Sequence, residues 1–271
     1  MKVVNSKHLR NVLLMVLTLS VLLFVVACSA DNSQMTNQDA GEEVTANPDV
    51  EGDSAAEETG EEEPELRTAE VFDLAAHKDK LSIRYFHMEG TEKTGDSILV
   101  TTPDGKNMLI DSGVQAGGQQ VVKYLNDMGI DRLDVILNTH PHIDHLGGFP
   151  AIIRAKEIGE AYMINHPYPS SNSYHNFMSA MKSKKINPVY LEEGDSFELG
   201  EHVKIEVYRP VKGDLPDAVE SYEARAINQF SMVFKLTYEE TSFLFTGDIY
   251  IERENEMLEN LPHEWLKADM M

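Results

Sequence analysis

Three of the ten histidines of this 271-residue chain, His140, His142 and His145, fall within six positions, with Asp144 just ahead of the third. They follow directly on Val135-Ile136-Leu137-Asn138, a β-branched and apolar run that reads as a buried strand, so any fold must deliver a strand end into this cluster. In an extended segment, side chains two positions apart face the same way, which lets His140 and His142 converge on one metal ion. Asp144 and His145 come after the bend and can point at a second site. Imidazole and carboxylate are the donors of a zinc-type hydrolytic centre, and with no cysteine nearby the site is expected to use nitrogen and oxygen. Pro141 stiffens the loop. Histidines can gather on a surface loop by chance, but placement straight after a buried strand favours a metal site.

The rest of the pattern mixes strands with helices. Leu81 to Phe86, Ile98 to Thr101 and Asn107 to Ile110 read as strands, the last two joined by the turn residues Thr102-Pro103-Asp104-Gly105. Val121, Val122, Leu125 and Met128 give helical spacing from Gln119 to Met128, and Gly129 supplies the stop. After the histidine loop, Gly147-Gly148 leads into another short helix. Further strands are expected near Tyr162 to Ile164 and at Val203 to Tyr208, Met232 to Thr237 and Ser242 to Phe245, with helices across Tyr174 to Met181 and Ile249 to Leu258. This order predicts a layered α/β (α+β) domain with substantial antiparallel sheet. Phe243-Leu244-Phe245-Thr246-Gly247-Asp248 is an apolar strand ending in Gly-Asp, which would bring Asp248 to a sheet edge; alone it is also an ordinary turn.

The N-terminus speaks to location. Lys2, Lys7 and Arg10 precede an apolar run from Val12 to Ala27, the layout of a secretory signal, and Val25-Val26-Ala27-Cys28 resembles a bacterial lipobox. Cys28 is the only cysteine, so no disulfide can form within the chain, and lipidation is its expected use. From Asp31 to Glu65 the chain is acidic and almost free of large apolar residues, a composition that cannot bury enough surface to fold. The expected organisation is a signal over 1–27, a lipid-anchored tether over 28–66, and a domain over 67–271 at the outer face of the cell membrane. The formal charge of −23 divides into +3 for the signal and −13 each for the tether and the domain. An acidic domain argues against strong nucleic-acid binding, which rests on Lys and Arg. Lys182, Lys184 and Lys185 form one local basic patch, read as an exposed helix end.

Thr139-His140-Pro141-His142-Ile143-Asp144-His145-Leu146-Gly147-Gly148 resembles the HxHxDH signature of the metallo-β-lactamase superfamily, and Phe243 to Asp248 resembles its later metal-bridging aspartate strand. Gly95-Asp96-Ser97, Leu109 to Gly113, Asn228 to Val233 and Leu244 to Ile249 are similar, in order, to the ComEC/Rec2-like branch. The resemblance implies an αββα sandwich with two divalent ions, zinc or alternatively manganese. It places His140 and His142 on the first ion, Asp144 and His145 on the second, and Asp248 between them. Asp111 would orient the loop without binding metal, and Asn228 stands where other members place a further histidine, so it is either a site residue or a buried amide capping a strand. Asp144 could also orient water or accept a proton.

Two departures stand out. The resemblance implies a His-His-Gly stretch after Leu266-Lys267-Ala268-Asp269, and the chain ends at Met271, so either a sixth ligand is expected beyond it in a longer reading frame, or the chain is a shortened and impaired relative, or another histidine, His263 being the nearest, substitutes. Glu89 to Thr94 is also longer than the tight glycine loop usual in that branch. His263 reads as part of a helix-ending loop, His166 and His175 as exposed or substrate-facing, and His87 as packed at a strand end. The expected function is an extracytoplasmic metal-dependent hydrolase of phosphodiester or ester bonds. The competing one is an impaired surface lipoprotein that uses the fold for binding, in DNA handling or uptake.

Overall fold

The computed structural model describes residues 72–89, 95–219 and 223–271. The expected signal, Cys28 and the tether lie outside the described residues. Among the described residues no helix is long and apolar enough to cross a membrane.

Six strands form the first sheet in sequence order: β1 (Ser82–Tyr85), β2 (Ile98–Thr101), β3 (Asn107–Ile110), β4 (Arg132–Asn138), β5 (Glu157–Met163) and β6 (Pro188–Tyr190). Pairing is antiparallel through β3 and parallel from β3 to β6. A parallel step needs a crossover, and helices α1 (Gly118–Asp127), α2 (Ile143–Leu146), α3 (Phe149–Ala155) and α4 (Asn172–Ser183) supply it. The second sheet is antiparallel, in the order β10 (Thr241–Phe245), β9 (Val233–Tyr238), β8 (Val203–Arg209), β7 (Ser196–Leu199).

Period-two alternation on β2, β3 and β4 divides the core. Leu99, Leu109 and Ile136 face the helices, packing with Val121, Leu125, Phe149, Ile152 and Phe177. Their neighbours Val100, Met108, Ile110, Val135 and Leu137 face the second sheet, where Ile205, Val207, Phe234 and Leu236 meet them. On the far side, Tyr208, Val233 and Leu244 carry Met257 of α6 (Ile251–Asn260). The layers run helix, sheet, sheet, helix, which bears out the expected αββα arrangement.

Several elements differ from expectation. β5 starts at Glu157 because pairing with β4 begins at Arg132 and carries its polar first half along. β6 is a three-residue edge strand and β7 a four-residue one, both too short to show a period. Neither α5 (Ala224–Asn228) nor α7 (His263–Leu266) reaches two turns, for the same result. α6 starts two residues late because Tyr250, in extended backbone, is its N-cap.

Candidate metal centre

Where β4 ends, the chain bends through His140, Pro141 and His142 into α2, a single turn that carries Asp144 and His145. Backbone contacts pin that turn to the end of β3. Ser112 donates through its N–H and its hydroxyl to the His145 carbonyl, at 2.8 and 3.0 Å, and the Gly148 N–H donates to the Gly113 carbonyl at 3.0 Å. The approach leaves no room for side chains. A Cβ on Gly148 would sit 2.1 Å from the Ser112 oxygen, and one on Gly95, whose φ is +65°, would sit 1.7 Å from the Asp144 oxygen. Glycine is therefore required at both positions.

Asp111 organises the loop from below. It is buried, has a φ of +52°, and accepts from the Thr139 N–H at 2.8 Å, the Thr139 hydroxyl at 2.6 Å, Asn138 Nδ2 at 3.0 Å and His145 Nδ1 at 2.8 Å. Because the Thr139 hydroxyl proton goes to Asp111, the same oxygen accepts from His140 Nδ1 at 3.0 Å. Both imidazoles are thus held by Nδ1, leaving Nε2 of each toward the site.

The Nε2 atoms face a common point. His140 Nε2 lies 2.9 Å from His142 Nδ1 and 3.9 Å from Asp248 Oδ2, while His145 Nε2 lies 3.4 Å from the same Asp248 oxygen. The donor atoms of His140, His145 and Asp248 all lie within 4.8 Å of one another. Asp248 arrives from the second sheet: β10 ends at Phe245, Gly247 turns with φ +53°, and the Asp248 N–H donates to Ser231 Oγ at 3.3 Å. A link from the Met232 N–H to the Thr139 carbonyl, 2.9 Å, joins the two sheets beside the site.

Burial pushes the His140 imidazole well below its usual pKa, so the ring is neutral and its Nε2 carries a lone pair. Burial acts the same way on His145, but the Asp111 carboxylate overrides it, with help from Asp248, and raises that ring to about 11. Burial pushes Asp248 up, and the His145 charge more than compensates, leaving it below the usual carboxylate range. Without a metal, then, a proton on His145 Nε2 holds Asp248. Two buried imidazoles with orienting partners, a third at 2.9 Å and a low-pKa carboxylate fit a divalent cation with nitrogen and oxygen donors.

Asp144 is half-buried on α2 and lies outside that tight donor group. Asn228, at the end of α5, is buried, with Nδ2 3.4 Å from both Asp248 Oδ2 and the Tyr250 hydroxyl and with Oδ1 unpartnered. Asp96, which had drawn attention only as part of a motif, feels His145, Asp111, Asp248 and Asp144, and burial is the main cause that raises its carboxyl. Of its two readings, exposed or substrate-facing, His166 does not take the exposed one: it is buried, because the loop after β5 turns inward against Phe230. Burial first, and His142 second, lower it to about 4. His175 is exposed and pairs with the Pro169 carbonyl, and His263 is exposed near the Leu258 carbonyl, away from the donors. His87, expected to be packed, is exposed, its carbonyl receiving the Tyr124 hydroxyl.

The sequence profile of the metallo-beta-lactamase superfamily matches residues 90–269. The chain belongs to that superfamily. Among curated relatives, ComE operon protein 3 of Bacillus subtilis (strain 168) is 26% identical over 197 residues, covering 65% of this chain and 23% of that protein. A UPF0173 metal-dependent hydrolase of Polynucleobacter asymbioticus is 39% identical over 69 residues, 24% of each protein. Endoribonuclease YSH1 of Kluyveromyces lactis is 24% identical over 91 residues, 33% of this chain and 12% of that one. The chain thus spans less than a quarter of the lengths of these relatives. A solved metallo-beta-lactamase from Pontibacter korlensis is 17% identical, covering 70% of this chain and 84% of its own, with a TM-score of 0.40. The superfamily match, with metal-dependent hydrolase and endoribonuclease relatives, bears out the expected class of metal-dependent hydrolase.

Proposed function

We propose that this metallo-beta-lactamase superfamily member is a ComEC/Rec2-like hydrolase of phosphodiester bonds that uses two zinc-type ions and works outside the cell membrane. The observation that carries the reading is the position of Asp248 Oδ2, faced by His140 Nε2 at 3.9 Å with His142 behind it, and by His145 Nε2 at 3.4 Å. If two ions bind, His140 and His142 would hold one side, His145 the other, and Asp248 would serve both. The ComE operon protein 3 match, which reaches across most of the domain, supports the branch, and the endoribonuclease relatives support the phosphodiester. The lipobox-like Val25 to Cys28 supports export and anchoring.

When bound, divalent ions supply Lewis acidity and water activated at neutral pH. The chain's own residues do the rest. His140, His142 and His145 fix the donor geometry, and Asp111 keeps two of those rings turned correctly. Asp144, half-buried on α2, orients the attacking water and accepts its proton. Asp96 adds a carboxyl at the same mouth. The decisive experiment measures metal content and hydrolysis of bis(4-nitrophenyl) phosphate by the full chain. Asp144→Asn should abolish turnover while leaving the circular dichroism spectrum intact, and unchanged turnover sinks the assignment. Binding of two ions with no cleavage of phosphodiesters, esters or lactams favours a binding protein instead.

A further inference from the structure

Three buried polar atoms near His142 have no partner: both ring nitrogens of His166, and Oδ1 of Asn228. His166 is 2% exposed and Asn228 7%. The two residues come from opposite sheets, His166 from the loop after β5 and Asn228 from the end of α5. His142 acts electrostatically on His166, Asn228 Nδ2 lies 3.4 Å from Asp248 Oδ2, and Phe230, two residues past Asn228, packs edge-on against the His166 ring at 5.3 Å. Buried polar atoms are paired in native structures with few exceptions, and an unpaired one is costly. Three orphans beside one metal-loop histidine point to a group that arrives with a ligand.

We propose that His166 and Asn228 form a hydrogen-bonding subsite beside the metal centre that receives a hydroxyl group of the substrate. The chemistry follows from what the atoms offer. A neutral imidazole has one donor and one acceptor, and the Asn228 oxygen only accepts. A hydroxyl donates to the Asn228 oxygen while a lone pair accepts from the His166 N–H, pairing two of the three orphaned atoms. A bare phosphoryl oxygen only accepts and would leave Asn228 orphaned. The subsite rests on the phosphodiester reading for its substrate class, a phosphate ester of a polyhydroxy alcohol.

The test is calorimetric titration of the metal-loaded full chain with sn-glycerol 1-phosphate and with methyl phosphate. The wild type should bind the glycerol ester about tenfold more tightly, the worth of one or two hydrogen bonds. His166→Ala and Asn228→Ala should each remove that preference, and His166→Asn, which keeps a donor and an acceptor, should retain part of it. Equal affinities in the wild type, or binding of neither phosphate, overturn the subsite. So does a loss of metal content in His166→Ala, since the ring is then a metal ligand. If bis(4-nitrophenyl) phosphate is not cleaved while the preference holds, the reaction class falls and the subsite stands.

Discussion

Replacing Asp111 by alanine tests the support of the whole centre. The carboxylate accepts four hydrogen bonds, at 2.6 to 3.0 Å, from Asn138, Thr139 twice and His145. Alanine orphans the buried Thr139 N–H and strips His145 of the partner on its Nδ1. Breaking a buried ion pair by removing one side costs about 3–5 kcal/mol, and a backbone orphan adds to it, though not additively. Alanine also keeps a β-carbon at φ +52°, where a non-glycine residue is strained by about 1–2 kcal/mol. Asp111→Gly removes the carboxylate without that strain, so it should be the milder variant. Urea denaturation of the metal-free protein at pH 7 should show losses of about 4 kcal/mol for alanine and about 3 for glycine. The pH dependence gives a second reading. His145 is raised from 6.5 to about 11, so its contribution is fully present below pH 6.5 and is lost as pH rises toward 11. Wild-type stability should fall across that window, and both variants should fall less. A loss under about 1 kcal/mol, or an unchanged pH slope, would refute the assignment of Asp111 as the organiser.

Metal binding must displace the His145 Nε2 proton, so affinity should rise with pH through the neutral range, and calorimetry in buffers of different ionisation enthalpy should find about one proton released. Release of none argues against His145 as a ligand. Gly95→Ala forces a Cβ into the Asp144 carbonyl at positive φ, so it should cost about 2 kcal/mol or more and weaken metal binding; a neutral effect contradicts the close approach. Phe234→Ala opens the interface between the sheets, where Phe234 stacks on Phe245 at 4.9 Å, and should cost about 3–5 kcal/mol in urea melts.

Much of this was legible in the residues. The histidine spacing after an apolar strand marked the loop, and alternation along Leu109-Ile110 and Val135 to Asn138 marked the strands that aim it. What escaped depends on distance across the fold. Asp96 is an ordinary polar residue until Gly95 presses against the Asp144 backbone, and His166 is an ordinary loop histidine until Phe230 closes on it. β6 and β7 are held by neighbours more than by their own pattern. The unpaired atoms of His166 and Asn228 have no trace in composition at all.

His140, His142 and His145 hang from the first sheet and Asp248 from the second, so an ion held by all of them would also be a clasp between the two halves of the sandwich. Ligand that binds only the folded state raises its stability by mass action. Metal supply would then govern how long the domain survives heat and proteases as well as whether it turns over, and melting temperature becomes a direct gauge of loading.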